Sequence, residues 1–292
     1  MKFGTMIMGA SFRAMPEVAR IYEDNGLESL WVPEHLVFPA EMPPRYPYTD
    51  SGYPVVTPDT PTYDPWVVLA YVAAATERIR LATNVFILPL RHPLQTARSV
   101  VTLDRVSGGR VTLGIGVGWL PDEFEYLDVD FADRGRRTDA AIDTIRRLWS
   151  EDVIEVHDEH FDFGPVKFNP KPLQKPSIPI EVGGSSKPAL RRAGRLGDGW
   201  IEIGSRDLDD FTAKLGVVMM AREDAGRAGP FEVTAGAALA GGGLDGYRRL
   251  EDAGVTRIMA TPPRSPSPPW RVTPAAAAEW AKRFADEVIA YC

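Results

Sequence analysis

The sequence predicts an α/β fold, a (β/α)8 TIM barrel, in a single domain that covers residues 1–292. The first observation is a regular alternation of short β-rich runs with helix-length amphipathic runs. The second is that this alternation repeats eight times along the chain. Alternation implies parallel strands joined by helical crossovers, and eight units of this size suit a closed barrel. A doubly wound open sheet is the structural alternative, and the count of eight favours the barrel.

In the first half, end signals separate the predicted helices from the strands. The helical run after the first strand ends at Gly26, and Asp64 and Pro65 are typical of an N-cap and a first helical residue. The helix after the third strand ends at Ser-Gly-Gly, and a fourth helix is predicted over 134–150. The predicted strands of this half are residues 3–8, 29–33, 79–88 and 110–118.

The second half repeats the pattern with four further β-rich runs, IPIEVGG, GWIEIG, FEVTAGAAL and TRIMATP. A helix-length run follows each of them, and a proline-rich link precedes the last one, AAAAEWAKRFADEVIAYC. The predicted strands of this half are residues 178–184, 199–204, 231–239 and 256–262.

Two loops are longer than ordinary connections between strands and helices. Residues 34–63, after the second strand, are rich in proline and tyrosine, and we expect a lid or pocket wall there. Residues 151–177 form an insertion before the fifth strand. Within it HDEHFDF (157–163) is typical of an exposed hairpin, and two histidines without an evident third ligand do not predict a metal site.

The composition indicates a globular protein of the cytoplasm. Hydrophobic residues make up 44% and charged residues 25% of the chain, and the net charge is −7 without a basic block. We therefore expect neither a nucleic-acid partner nor a membrane surface. The first residues lack the pattern of a signal peptide, and the single cysteine, Cys292, excludes an internal disulfide and a cysteine-based zinc site.

A glycine- and serine-rich turn follows the fifth strand, where barrels of this class carry functional residues. In VGGSSKPAL (182–190), glycines let backbone N–H groups approach an anion, serines add donors, and the following helix N-terminus favours negative charge. One interpretation is a phosphate site at Gly183, Gly184, Ser185 and Ser186. The other is an ordinary turn in which Ser186 caps the helix. The residues alone leave both open.

Three further sequence features are weaker signals of function. Two of them have both a functional and a structural interpretation, and the third has a structural one. GIGVGW (114–119) lacks the full spacing of a dinucleotide fingerprint, and its glycines either let a flat ring lie against the strand or serve barrel packing. His35, after the second strand, suits acid–base catalysis near neutral pH or a structural hydrogen bond. RGRR (134–137) is predicted to be the solvated start of a helix.

Several segments together resemble one family, the bacterial luciferase-like flavin and deazaflavin oxidoreductases. They include WVPEHLVFP, TNVFILPLRHPLQTARSVVTLDRVSGGRVTLGIGVGW, FNPKPLQKPSIPIEVGGSS and GRLGDGW. The resemblance implies a (β/α)8 barrel, a homodimer, a flavin-type ring in the barrel mouth and a cis peptide bond between Asn84 and Val85. It also implies cofactor contacts from Glu34, His35, Asn84, Val85, Val117, Gly118, Glu123, Gly183, Gly184, Ser185, Ser186, Ile203 and Gly204.

The subgroup with RHP after the third strand, and with SGGRVTLGIGVGW, is similar to oxidoreductases that use the 8-hydroxy-5-deazaflavin coenzyme F420. The resemblance then implies hydride transfer between F420 and a small-molecule substrate, with His35 as the catalytic proton partner. Arg91 and Arg264 are candidates for binding the acidic tail. Two alternatives stay open: an FMN-dependent monooxygenase that takes reduced flavin from a partner reductase, and a non-catalytic barrel that stores a flavin-like ligand.

One position departs from the sugar-phosphate dehydrogenases of this family. They have an acidic residue directly after the GxGxG run, where this chain has Trp119. Together with the loop 34–63, this favours an apolar or planar substrate. A homodimer would cover apolar faces on the second and third helices, and the same faces suit packing on the barrel: Trp66, Leu69, Val72, Val100 and Leu103.

Overall fold

Eight parallel strands close a barrel in the computed structural model, which describes residues 1–7, 9–241, 243–262 and 272–292. Each strand pairs with its neighbours in chain order, and the first pairs with the eighth, Phe3 opposite Ile258. The predicted (β/α)8 barrel is therefore confirmed. The strands are β1 (Lys2–Met6), β2 (Ser29–Val32), β3 (Arg80–Thr83), β4 (Val111–Gly116), β5 (Ile180–Gly183), β6 (Gly199–Ile201), β7 (Glu232–Gly236) and β8 (Arg257–Ala260).

A helix follows each strand and packs its apolar face on the outside of the barrel. As predicted, Asp64 caps the second helix by accepting hydrogen bonds from the N–H groups of Trp66 and Val67, at 2.9 and 3.1 Å. Leu69 and Val100 are fully buried, so the apolar faces of the second and third helices serve barrel packing. The helices are α1 (Met15–Asp24), α2 (Pro65–Ala73), α3 (Pro93–Val106), α4 (Arg134–Ser150), α5 (Lys187–Leu196), α6 (Leu208–Asp224), α7 (Gly243–Asp252) and α8 (Pro274–Glu287).

A buried arginine organises charge inside the barrel. Arg257 on β8 lies 2.9 Å from Glu181 on β5, and these two strands are not neighbours, so the pair crosses the interior. The guanidinium also contacts Glu28 at 3.1 Å and Glu232 at 2.9 Å. Burial raises the pKa of Glu181, and the facing Arg257 opposes that rise. The charges in this part of the barrel are therefore paired, which is the condition for burying them.

The structure differs from the predicted third strand, which was too long. β3 ends at Thr83, and a short strand Phe86–Ile87 resumes against β4 after the cis peptide bond between Asn84 and Val85. The periodicity of residues 79–88 is that of one strand, because β-rich residues stand on both sides of the break. The cis bond itself is as the resemblance implied.

The insertion before β5 contains the predicted hairpin, in which Ile154–His157 pairs antiparallel with Asp162–Val166. Its two histidines pair with different carboxylates, Nδ1 of His157 with Asp162 and Nδ1 of His160 with Asp133, at 2.5 and 3.1 Å. Within the described residues, no group of three or more His, Cys, Asp or Glu could hold a metal ion. In the same part of the chain, no helix has the length and apolar character needed to cross a membrane.

Candidate active site

A buried carboxylate holds a histidine at the carboxyl end of the barrel. Glu123 lies on a short helix (Pro121–Glu125) after β4 and is completely buried. Its Oε2 is 2.8 Å from Nδ1 of His35, and its Oε1 accepts the N–H of Leu36 at 2.8 Å. One side chain therefore fixes both the ring and the backbone of the loop that follows β2.

The second nitrogen of His35 also has a partner. Nε1 of Trp119 is 3.3 Å from Nε2 of His35, and an indole N–H can only donate. Nε2 is therefore the acceptor in this contact, and Nδ1 carries the proton that it donates to Glu123. The neutral imidazole is thus held in one tautomer, with its ring 4.7 Å from that of Phe38. This arrangement suits a group that takes up a proton at Nε2 once Trp119 moves away.

Glu34, the residue before His35, faces a different group. Its Oε2 accepts the N–H of Ile87 at 2.7 Å, and its Oε1 pairs with Arg91. Burial raises the pKa of Glu34 to about 7, and the facing Arg91 opposes that rise. Arg91 also lies over the ring of Phe86, 4.5 Å from its centroid. Arg91 is therefore paired with Glu34, and its role toward the coenzyme tail stays a prediction; Arg264 lies outside the described residues.

Val85, after the cis peptide bond, fills the space beside two glycines. A Cβ atom at Gly116 would lie 2.5 Å from Cγ2 of Val85, and one at Gly183 would lie 2.7 Å from Cγ1. Gly118 has a φ of +81°, and a Cβ there would lie 2.8 Å from Phe124. Packing alone therefore requires glycine at these three positions, which supports the packing interpretation of GIGVGW.

The turn after β5 has the shape predicted for it. Gly184 has a φ of +124°, and its carbonyl accepts the indole N–H of Trp200 at 2.9 Å. Ser186 caps α5 by accepting the N–H of Ala189 at 3.4 Å. Ser186 is therefore an N-cap, and phosphate binding by the backbone N–H groups of the turn and by Ser185 stays a prediction. Tyr48 of the long loop lies beside the turn, with its hydroxyl 3.8 Å from the position that a Cβ atom at Gly184 would take. The backbone and the hydroxyl of Ser185 act to lower the pKa of Tyr48.

The structure brings some of the predicted residues together and separates others. His35 and Glu123 are in direct contact, and Ile203 lies beside Gly183, 3.6 Å from the position of its Cβ. A Cβ at Gly204 would lie 2.9 Å from the ring of Tyr48, and one at Gly184 would lie 3.8 Å from the hydroxyl of the same residue, so both glycines contact Tyr48. Glu34 instead faces Arg91. Asn84 and Val117 stand at the ends of the same neighbouring strands, β3 and β4.

The family model described as luciferase-like monooxygenase matches residues 1–242 of the chain. The chain belongs to this family. Within the luciferase-like family, an uncharacterized protein of Mycobacterium tuberculosis is 37% identical over 242 residues, which are 83% of this chain and 82% of that protein. The 4-hydroxyprotoasukamycin monooxygenase of Streptomyces nodosus is 32% identical over 68% of this chain and 50% of its own length. The F420-dependent glucose-6-phosphate dehydrogenase of Amycolatopsis mediterranei is 27% identical over 70% of this chain and 57% of that protein.

Solved structures share the fold of this luciferase-like chain. The monooxygenase RslO1 from Streptomyces bottropensis superposes with a TM-score of 0.77, at 22% identity and over 99% of both chains. An F420-dependent secondary alcohol dehydrogenase superposes with a TM-score of 0.75, at 14% identity, over 100% of this chain and 99% of that one. At these identities the likeness is one of fold alone.

Two arginines at the start of α4 are partly buried, contrary to the prediction from the sequence. The solvated start predicted for RGRR holds for Arg136 but is wrong for Arg134 and Arg137. Nε of Arg134 is 3.3 Å from the carbonyl of Gly118, and Nε of Arg137 donates to the carbonyl of Pro89 at 3.0 Å. Both guanidiniums also lie on phenylalanine rings. They brace the loops after β3 and β4, which a charge pattern at a helix start does not reveal.

Sequence reasoning also missed Tyr46 and Tyr48, which reach from the long loop to Trp119 and Ser185. Their signal was present as the tyrosine-rich composition of residues 34–63, which predicted a lid or pocket wall without saying which rings would contact the site.

Proposed function

We propose that this luciferase-like protein is an oxidoreductase that transfers a hydride between coenzyme F420 and an uncharged, apolar or planar small molecule. The observation that carries the proposal is the buried Glu123 that orients His35 at the mouth of the barrel. Two relatives by sequence or fold, the glucose-6-phosphate dehydrogenase and the secondary alcohol dehydrogenase, are F420-dependent, and this supports the choice of coenzyme.

The donor set at the β5 turn fits the phosphate of such a coenzyme. The backbone and the hydroxyl of Ser185 favour negative charge on the nearby oxygen of Tyr48, since both act to lower its pKa, and the N-terminus of α5 adds its dipole. Gly184, Ser185 and Ser186 would hold the phosphate, and Val85 and Gly118 would lie beside the ring. When bound, the coenzyme supplies two-electron hydride chemistry.

His35 supplies the proton chemistry in this proposal. Its Nδ1–H stays on Glu123, so Nε2 is the atom that gives a proton to a substrate oxygen or removes one. The carboxylate of Glu123 stabilises the imidazolium that forms when Nε2 is protonated, because the two groups are 2.8 Å apart in a buried setting. Glu123 is thus a positioning residue, and His35 is the catalytic residue.

A cavity beside His35 supports the class of substrate. It lies between the ends of β1 and β2, α2 and the loop 34–63. Its described walls are mainly apolar. They include one carboxylate, that of Glu34, which is already paired with Arg91, and one imidazole, that of His35. The apolar part of the lining is contributed by Ile7, Met15, Val32, Phe38, Val56 and Val68. Such walls favour a neutral ligand with a single polar group that reaches His35.

A second candidate function is an FMN-dependent monooxygenase that receives reduced flavin from a partner reductase. It is favoured by the 32% identity to the 4-hydroxyprotoasukamycin monooxygenase, which exceeds the 27% identity to the F420-dependent dehydrogenase. The same turn and the same His35 would serve either cofactor.

Equilibrium titration decides between the two. Purified protein is titrated with F420 and with FMN, and binding is followed by the quenching of cofactor fluorescence. We expect the dissociation constant for F420 to be at least tenfold lower than that for FMN. Tighter binding of FMN would contradict the F420 proposal and favour the monooxygenase, and binding of neither would contradict both.

A further inference from the structure

The phenolic oxygen of Tyr48 lies at the β5 turn. It is 3.8 Å from the position that a Cβ atom at Gly184 would take, and the backbone and hydroxyl of Ser185 act to lower the pKa of Tyr48. The ring rests on Gly204, where a Cβ atom would lie 2.9 Å from Cδ1 of Tyr48. Neighbouring groups that lower the pKa of a phenol favour negative charge on its oxygen. The Tyr48 oxygen therefore lies where the donors of Ser185 would meet the oxygen of an anion.

A continuous set of ring contacts leads from Tyr48 to His35. The rings of Tyr48 and Tyr46 are 5.3 Å apart, and that of Tyr46 is 5.0 Å from Trp119, both edge to face. Trp119 in turn donates its N–H to Nε2 of His35 at 3.3 Å. Ser185 and His35, on opposite sides of the mouth, are thus joined through three aromatic side chains.

We propose that Tyr48 is an internal competitor for the anionic part of the ligand, and that its displacement frees Nε2 of His35. An anion can use the donors of Ser185 only when the Tyr48 oxygen leaves them. Because Tyr46 packs between Tyr48 and Trp119, movement of Tyr48 removes the support that holds Trp119 on His35. The inference rests on the proposed function in taking the β5 turn as the site of the ligand's phosphate.

The competition with Tyr48 favours ligands that carry an anionic group over ligands that do not. Burial, the larger influence, raises the pKa of Tyr48, so its oxygen is a neutral acceptor at neutral pH. A phosphate forms charge-assisted hydrogen bonds with the same donors, and these are stronger than those to a neutral phenol. A ligand that lacks the phosphate gains nothing from displacing Tyr48. While Tyr48 lies at the turn, a ligand that needs the turn cannot bind there. The apparent affinity of such a ligand is therefore its intrinsic affinity multiplied by the fraction of molecules in which Tyr48 has left the turn.

The first experiment compares FMN with riboflavin, which lacks the phosphate, on the wild-type protein, Tyr48→Phe and Tyr53→Phe. Tyr48→Phe keeps the ring and removes the competing oxygen, so we expect it to bind FMN about three- to tenfold more tightly, the effect of one or two ordinary hydrogen bonds. We expect riboflavin binding to be unchanged. Tyr53 lies in the same loop with its side chain exposed, so Tyr53→Phe is the matched control. Equal or weaker FMN binding by Tyr48→Phe would overturn the competition, and weaker binding would make the Tyr48 hydroxyl part of the phosphate site.

The second experiment needs no cofactor. Diethyl pyrocarbonate modifies an unprotonated, accessible histidine nitrogen, and peptide mapping gives the rate at His35 relative to the exposed His157. We expect Tyr48→Phe to raise the relative rate at His35 at least threefold, and Trp119→Phe to raise it further, with Tyr53→Phe unchanged. An unchanged rate in Tyr48→Phe would overturn the link between Tyr48 and His35.

The two experiments also separate this inference from the proposed function. If the wild-type protein binds neither FMN nor F420, the proposed function and the competition are both refuted, and the rate at His35 still decides the link. If the wild-type protein binds FMN and Tyr48→Phe binds it no more tightly, the inference alone is refuted.

Discussion

Nδ1 of His35 lies 2.8 Å from Oε2 of Glu123, a carboxylate with no exposed surface. The contact joins the loops after β2 and β4, 88 residues apart in the chain. Because Glu123 also accepts the N–H of Leu36, it is satisfied whether or not His35 is protonated. The carboxylate of Glu123 can therefore hold the His35 ring in place before and after a proton is transferred at Nε2.

Replacing Glu123 by Gln keeps an acceptor for Leu36 and removes the charge that faces His35. The loss of one charge-assisted hydrogen bond, about 1.5–3 kcal/mol, lowers turnover about ten- to hundredfold. We expect His35→Gln to lower it by about 10²–10⁴-fold, because the proton carrier itself is lost. Steady-state kinetics with a substrate found by screening alcohols and ketones measures both. Glu125→Gln, on the same short helix but exposed, should leave turnover unchanged; a turnover in Glu123→Gln equal to that of this control would refute the role of the pair.

Glu34 predicts a pH-dependent stability. Burial raises its pKa in the folded protein to about 7, from 4.5 for a freely solvated glutamate. The folded state then holds the proton more tightly than the unfolded state, so the contribution of Glu34 is fully present below pH 4.5 and is lost as the pH rises to about 7. The loss is on the order of 3 kcal/mol. Urea unfolding at pH 4.5 to 8 should show the free energy of unfolding of the wild type falling relative to that of Glu34→Gln. A difference between the two proteins that stays constant across this range would contradict the prediction.

Val85 and Gly116 predict an energetic coupling across the site. A methyl group at position 116 meets Cγ2 of Val85 at 2.5 Å, so Gly116→Ala should destabilise the fold by about 1–3 kcal/mol. In a Val85→Ala background the obstructing methyl is gone, and the same substitution should cost at least 1 kcal/mol less, by the order of coupling expected for residues in contact. Urea unfolding of the four proteins closes the cycle. Gly216→Ala, on α6 with nothing near its Cβ position, is the control and should be neutral or slightly stabilising; additive effects of the two changes would refute the contact.

The sequence was sufficient for the barrel because each strand and helix carries its own local periodicity and end signals, as at Asp64 and Gly26. The same local signals wrongly predicted one continuous strand over residues 79–88, because β-rich residues stand on both sides of the break at Asn84–Val85. His35 and Glu123 were both named through the family resemblance, but their contact depends on how two loops pack. Tyr48 could not be placed at all, since a loop without periodicity takes its conformation from tertiary contacts such as the one with Ser185.

The outward face of α2 provides a test of the homodimer that the family resemblance implies. Leu69 and Val72 pack on the barrel, whereas Val67 is 69% and Tyr71 45% exposed on the same helix. If these two side chains meet a second copy, Val67→Glu buries an unpaired charge at the interface and should convert the dimer to monomer in light scattering after gel filtration. Met220→Glu, a change of similar size at an exposed position on α6, should leave the mass unchanged. A wild-type mass of one chain at micromolar concentration would refute the dimer directly.

Arg257 and Lys2 offer a comparison between a buried and an exposed ion pair in one barrel. Arg257 is 2% exposed and contacts Glu181, Glu28 and Glu232, whereas the Lys2 side chain is 47% exposed and contacts Glu232 at 2.8 Å. Arg257→Met leaves Glu181 buried without its partner and should cost about 3–5 kcal/mol in the free energy of unfolding at pH 7. Lys2→Met should cost less than about 1 kcal/mol, since water already screens that pair.

Because an unpaired Glu181 can be neutralised by protonation, the deficit of Arg257→Met in the free energy of unfolding should shrink as the pH falls from 7 to 5. The double variant Arg257→Met, Glu181→Leu should recover at least half of the loss at pH 7, since it removes the unpaired charge. Urea unfolding measures all of these quantities, and a double variant as unstable as the single one would show that Arg257 acts through packing rather than through charge.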